Sequence, residues 1–122
     1  MSLTIAETAV RTGLTAHTLR YYERDGLMLT VDRSASGHRR YTERDLDWIQ
    51  MVTRLRSTGM PIRDVRRYAD LVRQGPGNEA QRLDILCRHR EQVRADLEAA
   101  AEHLRAIDHK IGIYEGVGEL SA

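Results

Sequence analysis

The sequence predicts a mainly α-helical protein in two parts: a small helical head carrying a β-hairpin, and one long helix that needs a second helix to pack against. Three observations carry this. Two helix-start signals near the N-terminus bracket a pair of short helices around a glycine. An extended stretch with a polar turn follows them. After a Gly75-Pro76-Gly77 breaker, apolar residues recur at alternating steps of three and four as far as Tyr114.

Thr4 followed by Glu7 is a capping box, and Ile5, Ala9 and Val10 give a short apolar face that stops at Gly13. Thr15 caps a second helix in which Leu19 and Tyr22, three apart, face inward and His17, Arg20, Tyr21 and Arg24 face outward. This pair reads as a helix-turn-helix, whose second helix enters the major groove in DNA-binding versions. Residues Leu27 to Tyr41 form two extended runs around Ser34, Ser36 and Gly37, a small β-hairpin or wing. Thr42 with Asp45 caps a third helix carrying Leu46, Ile49, Val52 and Leu55. Pro61 suits the first turn of a fourth, with Ile62, Val65, Tyr68, Ala69 and Val72 on its buried face.

Beyond the breaker, Leu83, Leu86, Arg90, Val93, Leu97, Ala100, Leu104, Ile107, Ile111 and Tyr114 form a heptad seam without a slip. A helix from Asn78 to Tyr114 would be about 55 Å long, with a stripe too narrow and long for the head to bury. The most economical partner is a second copy of the chain, so these ten residues are the expected homodimer interface. Cys87, Arg94, Ala101, Asp108 and Glu115 flank the seam on one side, basic early and acidic late. Antiparallel pairing sets Arg94 near the partner's Asp108; the opposite flank shows no such trend. Arg90 is read as a register device or a partly exposed edge. The expected organisation is a winged helix-turn-helix domain over 1–74, a linker over 75–77, a coiled-coil helix over 78–115 and a flexible tail over 116–122.

Composition bounds the function. Hydrophobic residues at 41% and charged residues at 30% fit a soluble helical protein, and no apolar run approaches the roughly 20 residues of a membrane helix. The N-terminal stretch has neither a secretory nor a transit layout, which points to the cytoplasm. The single cysteine, Cys87, excludes an intrachain disulfide and a cysteine-built metal or iron–sulfur site. Residues 1–77 carry 13 Arg against 9 acidic residues, a net +4, while residues 78–122 carry 6 basic and 9 acidic, a net −3. A basic head on an acidic helix suggests that the head alone meets a polyanion. No nucleophile–base pair, phosphate-cradling loop or carboxylate dyad supports an enzyme, and no cofactor is implied.

The runs IAETAVRTGLTAHTLRYYERDGLM, SGHRRYTERDL and LRSTGMPIRDV, over roughly residues 3 to 73, resemble the N-terminal domain of the MerR family of bacterial transcription regulators. The long helix is similar to that family's antiparallel dimerisation helix, and the early end of the chain resembles the short members without a separate effector-binding domain. The resemblance implies a homodimer on a pseudo-palindromic promoter site that bends and untwists the duplex, acting on RNA polymerase indirectly through the DNA. A DNA-architectural protein or repressor of the same fold is the alternative.

On this reading Thr15, His17, Thr18, Arg20 and Tyr21 reach base edges or phosphates. Arg20 is the leading base reader, because a guanidinium pairs bidentately with guanine. Tyr22 belongs to the same set but is the tyrosine expected in the core. Arg39 and Arg40 end the wing pointing to opposite sides, one to phosphate or into a minor groove and the other serving the fold. Tyr41 and Arg56 are carried over from the resemblance as backbone contacts. No effector is legible: metal-sensing relatives use cysteines late in the dimerisation helix, and none occurs from Ile111 to Ala122. The position matching the thiol of redox relatives is Arg54, and Cys87 reads as a small buried hydrophobe.

Overall fold

The structure, a computed structural model, describes residues 2–117. The helices are α1 (Ile5–Thr12), α2 (Ala16–Arg24), α3 (Glu43–Ser57), α4 (Ile62–Arg73) and α5 (Glu79–Val117); β1 (Asp32–Arg33) and β2 (Arg39–Arg40) lie between α2 and α3. The chain divides into two compact units, one ending at Leu86 and the other beginning at Cys87.

The first unit is built on its caps. Thr4 Oγ1 accepts from the Glu7 amide while Glu7 Oε1 accepts from the Thr4 amide, so two orphan donors of α1 are satisfied reciprocally. Gly13 ends the helix at φ 76°, a left-handed conformation that costs other residues steric strain. Thr42 and Asp45 form the same reciprocal box at α3, whereas Thr15 caps α2 from one side only, accepting from the Thr18 amide. Pro61 stands one position earlier than expected, as the N-cap of α4, and Leu71, outside the predicted stripe, is buried there as well.

These helices close around one core. Leu19 and Tyr22 of α2, Ile49 and Val52 of α3, and Val65 and Ala69 of α4 meet Leu27, Met28 and Tyr41 from the intervening segments. Trp48 donates from Nε1 to the Leu27 carbonyl at 2.8 Å, and its ring stacks on Tyr68 with centroids 5.6 Å apart. Both ends of this amphipathic side chain are thereby satisfied.

The wing is shorter than the sequence pattern suggests. Only Asp32 pairs with Arg40 and Arg33 with Arg39, and an isolated bridge joins Leu3 to Tyr41. Leu27, Met28, Leu29 and Val31 are buried but outside any strand. Arg73 explains part of this: its Nη1 donates to the carbonyls of Gly26, at 3.1 Å, and Met28, and its Nη2 to Asp70. A side chain from α4 satisfies carbonyls that a longer ladder would have used.

Arg82, in the first turn of α5, fixes the Gly75-Pro76-Gly77 turn by donating to the carbonyls of Gly75 and Leu71 and to Asn78 Oδ1. Ile85 and Leu86 then pack partly against the core. The second unit is the remainder of α5. Of the expected tail, residues 118–122 lie outside the described residues.

Candidate nucleic-acid interface

Helix α2 is held by its buried side, Leu19 at 0% exposure and Tyr22 at 8%. The opposite side carries His17, Arg20 and Arg24, all exposed. Thr15 Oγ1 accepts from the Thr18 amide and donates to Thr18 Oγ1, both at 3.0 Å, so Thr15 caps the helix and the two hydroxyls sit together at its N-terminus. Arg24 pairs with Asp25, whereas Arg20 has no ion pair or hydrogen bond among the described residues. An exposed, unpaired guanidinium on the outer face of a rigid helix is available to an external acceptor. Tyr21 is half-buried, its ring 6.2 Å from that of Tyr22.

Tyr22 is in the core, as expected of it, but one expectation fails on burial: Tyr41, expected at the DNA backbone, is 0% exposed with a hydroxyl that has no hydrogen-bond partner among the described residues. A ring with no accessible surface makes no phosphate contact. Its backbone pairs with Leu3 in both directions at 2.7 and 2.8 Å, and its ring lies in the core cluster.

The wing is aimed by a residue the sequence reading left without a role. Glu23 Oε1, on the last turn of α2, accepts from Arg39 Nε and, at 3.3 Å, from Arg33 Nη2. Arg33 also donates to the Gly37 carbonyl, which ties the turn to its strand. Arg40 points the other way, as alternation requires, and donates to Ser2 Oγ and the Ser2 carbonyl. Both wing arginines therefore have intramolecular partners. Ser34, Ser36 and His38 form a hydrogen-bonded chain at the exposed tip, at 2.9 Å per link. One carboxylate followed 10 and 16 residues later by arginines is the available sequence signal for the clamp, and only the fold brings it together.

The sequence profile of MerR HTH family regulatory proteins matches residues 3–71, which span α1 through most of α4. The chain belongs to the MerR HTH family. An HTH-type transcriptional regulator of Haemophilus influenzae is 30% identical over 115 residues, 94% of this chain and 85% of that protein. Among solved structures, HiNmlR, a MerR family regulator lacking the sensor domain and bound to promoter DNA, is 30% identical with a TM-score of 0.89. That similarity covers 98% of this chain and 95% of HiNmlR. A MerR family regulator from Listeria monocytogenes is 33% identical with a TM-score of 0.92, covering 95% and 88%.

In this MerR family protein Arg56 is exposed and donates from Nη1 to the Met60 carbonyl at 2.7 Å, holding the turn between α3 and α4. Of the seam residues, Leu86 packs partly on the first unit's core, while Leu83, Leu97, Leu104, Ile107, Ile111 and Tyr114 are exposed large apolar side chains. Cys87 is a free thiol of intermediate exposure, with Arg90 Nη2 at 4.0 Å from Sγ. Electrostatics add two directed effects. Burial, reinforced by the nearby Glu23 charge, pushes the Tyr41 phenol above its ordinary 10.0. Hydrogen bonds from Thr4 hold the Glu7 carboxyl below its ordinary 4.5. No group of three or more His, Cys, Asp and Glu is placed to hold a metal ion, and no helix is long and apolar enough to cross a membrane, among the described residues.

Proposed function

We propose that this MerR family regulator binds promoter DNA in the cytoplasm as a homodimer. Helix α2 of each subunit enters the major groove of one half of a pseudo-palindromic site. The observation that carries this is the α2 face itself: Arg20 and His17 are exposed beside the Thr15–Thr18 cap, on a helix whose other side is locked in the core. The similarity to HiNmlR, which is bound to promoter DNA, supports the same docking for this chain. Arg20 reads a base, His17 and Tyr21 contact nearby base edges or phosphates, and the wing and Arg56 meet the backbone. Binding distorts the duplex, at a cost of about 1–10 kcal/mol that the added contacts offset, and RNA polymerase responds to the altered promoter.

The test is Arg20→Ala, measured on an operator selected from a random pool and on unrelated duplex at the same salt. Discrimination between them should shrink by about 1–3 kcal/mol, with little change in affinity for unrelated DNA. Equal losses on both would remove Arg20 as the base reader. An absence of duplex binding by the wild-type protein at low salt would remove the function.

A further inference from the structure

One carboxylate serves two arginines of the wing. Arg33 and Arg39 are paired directly across the two-stranded ladder, so their side chains leave the hairpin on the same side, where like charges repel. Glu23 Oε1 accepts from both, which leaves one of the two positive charges uncompensated. The two bonds are unequal. The Arg39 side chain is sheltered at 24% exposure, whereas that of Arg33 is 47% exposed and reaches Glu23 only at 3.3 Å. Arg33 is also anchored independently, because its Nη1 donates to the Gly37 carbonyl.

Beside this trio stand an unspent donor and an unspent acceptor. The Tyr41 hydroxyl is the one buried side-chain polar atom without a hydrogen bond among the described residues. Both arginine bonds fall on Glu23 Oε1, and Oε2 accepts none among the described residues. The two groups feel each other: burial first, and then the Glu23 charge, raise the Tyr41 phenol above its ordinary 10.0. Asp45, the other carboxylate nearby, acts less strongly and is held in the α3 cap by Thr42.

Resting on the DNA binding proposed above, we propose that Tyr41 is the positioning residue of a handover: a backbone phosphate draws Arg33 from Glu23, and the Tyr41 hydroxyl takes the vacated place on the carboxylate. Arg33 keeps Gly37 through Nη1 and turns Nη2 to the phosphate, a charge-assisted bond that a guanidinium forms well. Glu23 keeps Arg39, so the wing stays aimed. The free protein carries an unsatisfied buried hydroxyl, and only the DNA-bound form relieves it. That difference between the two states favours the bound one. Tyr41 makes no DNA contact itself; it acts through Glu23 and Arg33.

The experiment uses the full chain as wild type, Tyr41→Phe, Arg33→Ala and the double variant. Each is measured for its melting midpoint and for its affinity to an unrelated duplex over a range of salt. A wild type that binds no duplex at low salt overturns the DNA-binding reading and the handover with it. With binding established, Tyr41→Phe should melt higher than wild type yet bind about tenfold more weakly, since the hydroxyl is unsatisfied in one state and bonded to a charge in the other. Arg33→Ala should make the slope of log affinity against log salt shallower by about one, the mark of one lost phosphate contact. In that background Tyr41→Phe should change affinity by less than about twofold. A tyrosine with a merely structural role would move stability and affinity in the same direction and act alike with or without Arg33. A lower midpoint or unchanged affinity for Tyr41→Phe, an equal loss in both backgrounds, or an unchanged salt slope for Arg33→Ala overturns the handover and leaves DNA binding intact.

Discussion

Glu23→Ala should unclamp the wing, and its cost can be worked from the geometry. The Arg39–Glu23 pair is sheltered, with side chains 24% and 21% exposed, so its charge-assisted hydrogen bond lies within about 1.5–3 kcal/mol, toward the lower end after screening. Arg33 is 47% exposed at 3.3 Å and adds a few tenths, about 0.3 kcal/mol. The expected loss is about 2 kcal/mol, which lowers the melting midpoint of a unit this size by roughly 10 °C. Thermal denaturation followed by circular dichroism measures it, and Glu23→Gln, which keeps one acceptor, should fall in between. A double-mutant cycle with Arg39→Ala should show coupling of about 1 kcal/mol or more. DNA affinity should drop on specific and random duplexes alike, with a shallower salt dependence, because a loosened wing makes fewer phosphate contacts. Strict additivity in the cycle, or an unchanged midpoint, would refute the clamp.

Tyr41→Phe should stabilise the protein by about 1 kcal/mol, since it deletes a buried hydroxyl that has no partner. The raised phenol pKa implies stability that is complete below pH 10.0 and lost as pH rises through the folded value, so the substitution should also flatten the alkaline limb of a denaturation series. A destabilised Phe variant would mean that the hydroxyl has a partner. For Glu7 the sign is opposite: its depressed pKa supplies stability above pH 4.5 that disappears as pH falls through the lower folded value. Glu7→Gln should remove that acid dependence, and an identical acid limb in both proteins would contradict it. Leu97→Asp should give a monomer in sedimentation that no longer distinguishes a two-half-site operator from a single half-site; a persistent dimer counts against the seam.

The elements legible in the sequence were those specified by neighbours a few residues apart. Thr4 with Glu7, Thr42 with Asp45, and Gly13 each set a helix end through local hydrogen bonds or a local dihedral angle, and Leu19 with Tyr22 set the buried side of α2. What escaped depends on distant partners. Leu27 to Val31 has a strand's composition, yet Arg73, more than 40 residues away, takes its Met28 carbonyl and that of Gly26 just before it. Glu23 has a role only because the wing folds back to α2. Tyr41 sits in a run that resembles a DNA-contacting wing, and only its bridge to Leu3 reveals that the ring turns inward.

Trp48 is the single tryptophan of the chain, and it is anchored at the indole nitrogen and stacked on one face. Its fluorescence is therefore an optical probe of one compact unit alone, blue-shifted while Leu27 and Tyr68 hold it and red-shifted once that unit opens. Far-ultraviolet ellipticity weighs every helical residue, 39 of which lie in α5. Recording both signals on one sample would show whether the two units melt together or one after the other.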